Sequence, residues 1–158
     1  MKRYIKRLFA VLAVAVFTAP IFAQTNIQDV DLTRNIETIA SAVESGTDLQ
    51  EPGTPLIKNG TVISRKAVSG EEDSFAGELI LASGAWVDQD EIKVSECVVY
   101  LNGPEFAETI PRRRSREVNP KEIQLNTELL VYGFFAGVVD TVEGKLAAVE
   151  AAGIRPLK

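Results

Sequence analysis

The chain contains no histidine. That excludes Ser-His-Asp and Cys-His nucleophilic catalysis and every histidine metal site. It contains one cysteine, Cys97, so an internal disulfide, a zinc-cysteine cluster and a C-x-x-C redox pair are excluded too. No Walker loop is present. The glycines of YGFFAG, residues 132–137, do not open a helix after a strand, as a dinucleotide site requires. After the first 23 residues no apolar run approaches the ~20 residues of a membrane-spanning helix. Together these absences point away from an enzyme, a metal site and a bound cofactor.

What is present begins with MKRYIKRLFAVLAVAVFTAPIFAQ. Lys2, Arg3, Lys6 and Arg7 precede a short apolar run, then Pro20 and the small residue Ala23. That order is the pattern of a secretory signal peptide cleaved after Ala23. The expectation is export, with the periplasm favoured over full secretion. The whole chain carries a net charge of −5, and removal of residues 1–23 makes the balance more acidic. An acidic balance weighs against nucleic acid as a partner, because a basic domain is the expected footprint. Cys97, in the apolar run EIKVSECVVYL, reads as a small core residue.

Residues 24–46 read as an amphipathic helix. Leu32, Ile36, Ile39, Ala40 and Val43 fall on one helical face, with Asp31 as a start signal and Gly46 as a stop. Residues 47–74 read as a linker with a candidate edge strand at 61–68, because TDLQEPGTPLIKNG holds two prolines and two glycines. From residue 75 the texture becomes β-rich. Strands are expected at 77–87 and 92–101, a short third strand in EFAETI (105–110), and the most apolar strand at 128–139. Gly133 and Gly137 interrupt this last strand and mark a bulge or bend. Residues 145–154 fit helix or strand; as a strand they would pair with 128–139 across DTVEG, and the family resemblance given next favours strand.

Residues 75–158, with LNTELLVYGFFAG (125–137) and a terminal AVEAAGI (148–154), resemble small exported bacterial OB-fold proteins. The resemblance implies a mainly β protein: a small five-stranded antiparallel barrel preceded by the amino-terminal helix, which would cover it. It departs in one place, since PRRRSR occupies the connection where the fold usually carries a helix. An antiparallel β-sandwich or roll is the alternative.

The candidate binding residues are Arg112, Arg113, Arg114 and Arg116, together with Phe106. Clustered arginines raise the local potential and grip carboxylate or phosphate with paired hydrogen bonds. The expected function is therefore a non-catalytic envelope binding module contacting an anionic partner (a protein, a polymer or a lipid head group) through the arginine loop. The alternative is a structural or assembly component of an envelope complex. Trp86, Tyr132 and Phe135 are read as core, and Phe106 as the aromatic nearest the surface. Asp88, Asp90 and Glu91 are read as a hairpin turn rather than a calcium loop. Glu105 and Glu108 are read as solvated rather than catalytic.

Overall fold

A computed structural model describes residues 35–47, 49–69, 74–111, 119–142 and 144–157. The arginine-rich stretch 112–118 and the leader-like segment 1–23 lie outside them. One helix, α1 (Ile36–Ser45), precedes five strands: β1 (Pro55–Ser69), β2 (Ala76–Asp88), β3 (Glu91–Asn102), β4 (Glu128–Thr141) and β5 (Gly144–Pro156). The strands close into a barrel in the order β1-β2-β3-β5-β4. This is the mainly β, five-stranded OB-type architecture, and closure of the ring excludes the sandwich and the roll. The barrel is not wholly antiparallel: β3 and β5 run parallel over Cys97↔Ala147 to Tyr100↔Glu150.

The strands form because apolar residues alternate at period two, so that one face of each fills the barrel. Leu56 and Val62 on β1, Leu79 and Leu81 on β2, Val99 and Leu101 on β3, Leu129 and Val131 on β4, and Val149 on β5 are all buried there. Lys58 shares the buried face of β1 and is 2% exposed. Its charge acts on Cys97 in the same interior.

Both mouths of the barrel are plugged. At one, α1 contributes Ile36, Ile39 and Val43 to the core. The helix starts at Asn35, whose side chain accepts a hydrogen bond from the Thr38 amide at 2.9 Å, and ends at Gly46 with φ 66°. Asp31, the expected start signal, lies outside the described residues. At the other mouth Phe75, Phe106, Ile110 and Ile123 pack into the same core.

Three elements differ from the sequence-based expectation. The supposed linker at 55–60 and the supposed edge strand at 61–68 are a single 15-residue strand that pairs with both β4 and β2. EFAETI is not a strand. Pro104–Phe106 forms one 3-10 turn, since proline at the first helical position has its φ preset and loses no needed donor. Among the described residues of the β3–β4 connection, this turn and the buried side chains of Phe106, Ile110 and Ile123 cover the barrel mouth.

Gly133 and Gly137 do mark irregularities: the β4–β5 register shifts at Tyr132/Gly133 and at Phe135/Gly137. At Gly133 the cause is close approach, because a Cβ there would sit 2.1 Å from the Glu150 carbonyl oxygen. Gly133→Ala must push β4 and β5 apart, so a loss of about 1–3 kcal/mol, the range for overpacking, is expected in denaturant unfolding.

The Cys97 thiol is pushed up to about 12, first by burial, which the nearby Lys58 charge opposes. A raised thiol pKa leaves stability independent of pH below the unfolded value near 9.0 and lowers it as pH rises from there toward 12. Cys97 should therefore resist a thiol-reactive probe at pH values below that window and react fully only in denaturant. Labelling at native rates equal to those of the unfolded chain would contradict its placement.

Candidate functional site

The pairing register leaves part of the sheet outside the barrel. β1 pairs with β2 only as far as Ala82, and β5 pairs with β3 only from Cys97 onward. Residues 83–88 of β2 and 91–96 of β3 therefore bond only to each other, and they project as a two-stranded arm. β2 is 13 residues long, well beyond the usual ~5–6, and the surplus is this arm. Its tip is a turn in which the Gln89 amide donates to Asp88 Oδ1 at 2.7 Å.

The two faces of the arm differ. One rests on α1: Ser83 Oγ donates to Glu37 Oε1 at 3.2 Å, and Lys93 Nζ pairs with Glu44 Oε2 at 2.9 Å. The other carries Trp86 directly opposite Ile92, and Gly84 opposite Val94. Trp86 is 70% exposed, Ile92 53% and Val94 58%. A Cβ at Gly84 would meet Ile92 Cγ2 at 3.6 Å, ordinary contact distance. The result is a bare apolar ledge with one indole on it, on the β2–β3 hairpin. In OB-fold barrels it is the strand 2–3 face that takes oligonucleotides and oligosaccharides.

Around this ledge the charge is negative. Asp88, Asp90 and Glu91 sit exposed at the tip, and the arm's lysine, Lys93, is engaged by Glu44. Among the described residues no group of His, Cys, Asp and Glu could hold a metal ion.

The expected site residues are distributed differently. Arg112, Arg113, Arg114 and Arg116 lie outside the described residues, so the structure neither assembles nor disperses them. Phe106, expected at the surface, is 4% exposed, because the 3-10 turn folds it into the barrel mouth. Trp86, expected in the core, is on the surface because β1 has already left β2 where it occurs. Phe135 is buried, as expected. Tyr132 is half-buried and packs against Phe134 at 6.0 Å between ring centroids. Glu108 pairs with Lys121, and Glu105 and Glu108 are exposed in turns rather than on a strand. The clue to Trp86 was its position, two residues before an Asp-rich turn at the end of an overlong strand.

No family model matches the sequence, and no curated protein does. Among solved structures the chain is similar to the small single-stranded DNA-binding protein from Streptomyces coelicolor, with TM-score 0.45 and 14% identity over 66% of this chain and 94% of that one. It is also similar to Plasmodium falciparum SSB in complex with ssDNA, with TM-score 0.43 and 12% identity over 71% of this chain and 100% of that one. These are binding proteins. Against these single-stranded DNA-binding neighbours, the expectations of an exported envelope module or assembly component, of a periplasmic location, and of net charge as grounds against nucleic acid stand corrected. Net charge describes the whole chain, whereas an OB-fold meets its ligand on one face. Among the described residues no helix is long and apolar enough to cross a membrane.

If the ledge serves binding rather than folding, Trp86→Ala should leave stability within about 0.5 kcal/mol of the parent, as for other exposed positions. Thermal unfolding followed by circular dichroism checks this. A loss of several degrees in melting temperature would mean that the indole supports the arm instead.

Proposed function

We propose that this chain is a non-catalytic binding protein that holds unpaired bases of single-stranded nucleic acid on the outer face of its β2–β3 arm. The observation that carries this reading is the 70% exposure of Trp86 on the OB-fold strand pair that serves for ligand binding. A flat indole offers stacking to any base, worth about 1–3 kcal/mol per base, and Ile92 and Val94 extend the apolar surface beside it. The absence of histidine from the whole chain supports a binding role over a catalytic one.

The electrostatics define what kind of binding this is. Phosphates near the tip meet Asp88, Asp90 and Glu91 and gain no counter-charge there. Affinity must come from stacking, with few counterions released. A single strand releases counterions with a slope of about −0.7 per phosphate neutralised, so a shallow salt dependence is expected.

Trp86 is the sole tryptophan, so its fluorescence reports on the site directly. Titration with an oligothymidylate of roughly ten nucleotides, within the ~4–16 span of OB-fold site sizes, should quench it. Competition with a labelled strand should show Trp86→Ala weaker by about 1–3 kcal/mol, with little change between low and high salt. Quenching by a neutral oligosaccharide and not by the oligonucleotide would transfer the same ledge to sugar binding, a reading the acidic tip favours. Absence of quenching by either removes the ledge as a ligand site.

A further inference from the structure

The two margins of the β2–β3 arm are unlike. On β3 the stretch outside the seam, residues 91–96, carries Glu91, Lys93 and Glu96. Charged side chains of this kind guard a sheet edge against pairing. On β2 the stretch that β1 has left, residues 83–87, reads SGAWV, with no charge and no proline. Among the described residues no strand lies beside it on that side. Its outward backbone N–H and C=O groups are a template for one more strand. The register with β3 is regular as far as Trp86 and shifts only between Trp86 and Asp88, so the irregularity falls at the tip.

The open stretch fits a copy of itself. Its midpoint is Ala85. An antiparallel partner turned about that residue sets Gly84 opposite Trp86 and Ser83 opposite Val87, each twice by symmetry. Gly84 and Trp86 share the outer face of the arm, opposite Val94 and Ile92 on β3. The indole of each copy therefore meets the other copy's Gly84, the position on that face with no side chain. Val94 and Gly84 of one copy then continue into Trp86 and Ile92 of the other as one apolar row across four strands. Charge selects the same geometry. Parallel pairing would bring the two acidic tips, with exposed Asp88, Asp90 and Glu91, side by side. Antiparallel pairing puts them at opposite ends. Five residues a side is far below the ~20–30 of a standard interface, so the association is weak and depends on concentration.

We infer that residues 83–87 of β2 pair antiparallel with the same residues of a second copy of this chain, joining the two arms into one four-stranded sheet. A two-fold contact of this kind closes on itself, so the dimer is the largest species. The pairing uses the strand edge and leaves the outer face open. It does not rest on the nucleic-acid reading of the ledge.

The test uses the full chain with no nucleic acid present. Sedimentation velocity over a concentration series should show monomer passing to dimer and no further. The outward amides of 83–87 should gain protection from hydrogen exchange as the concentration rises. Gly84→Glu changes an exposed position where a Cβ makes only ordinary contact. It sets a carboxylate beside each partner indole and should weaken the dimer by about tenfold or more. A spin label on Gln89→Cys reads the geometry, since the native Cys97 is buried. Antiparallel pairing about Ala85 separates the two labelled backbones by about 26 Å, four residues on each side of the two-fold at ~3.3 Å each. Parallel pairing would leave them one strand spacing apart, ~5 Å. If Gly84→Glu does not fold, the label distance decides. A monomer at every concentration, a dimer indifferent to Gly84→Glu, tips side by side, or protection of 83–87 independent of concentration overturns the inference.

Discussion

The barrel closes through a single short seam, the four parallel pairs from Cys97↔Ala147 to Tyr100↔Glu150. Parallel pairing is slightly weaker per residue than antiparallel, and four pairs give little room for error. The seam depends on what surrounds it. Ala147 and Ala148 are small and buried, which lets β5 approach β3 closely. Two irregularities in β4–β5, at Tyr132/Gly133 and Phe135/Gly137, bend that hairpin so that β5 can serve both neighbours. The plugs at the two mouths then complete one continuous apolar cluster from α1 to Ile123. Without them the interior of so small a ring would be open to water.

The brevity of the seam also explains the exterior. Because β3 meets β5 only from Cys97, and β1 leaves β2 after Ala82, the β2–β3 hairpin has surplus length that no neighbour covers. α1 braces one side of it through Glu37 and Glu44. The braced side fixes the orientation of the free side, so Trp86, Ile92 and Val94 are presented on a supported sheet rather than on a loop. Ligand-facing groups held this way need less ordering on binding.

Much of this architecture was legible in the sequence, and the exceptions have physical causes. The stripe Ile36, Ile39, Ala40 and Val43 and the stop at Gly46 define α1, and the β-rich runs define β2, β3 and β4, whereas the alanines of 145–154 fit helix as well as the strand β5 that forms. β1 was hidden by residues that usually break strands. Pro55 is its first residue, where a missing donor is tolerated. Gly60 lies under α1 and against β2, where a Cβ would meet Ile36 Cδ1 at 2.8 Å and the Ala82 carbonyl oxygen at 3.1 Å. Both are tertiary facts. EFAETI looked extended by composition, but Pro104 starts a helical turn that buries Phe106. The parallel seam has no local signature at all. The candidate site was misread for a related reason: an aromatic in a strand is usually core, and only the point at which β1 departs puts Trp86 outside. Attention went instead to the arginines of 112–118, which composition makes conspicuous.

The arm has a further consequence for how such a chain can change length. Residues 88–94 are exposed, and the turn at Gln89–Asp90 touches neither the seam nor the mouth plugs. Extra residues inserted there would lengthen the hairpin without altering the registers that close the ring. Divergent copies of this chain can thus lose or gain residues at that turn at little cost to folding. The tip is also the natural place to splice in a foreign segment, since its two ends are already held side by side.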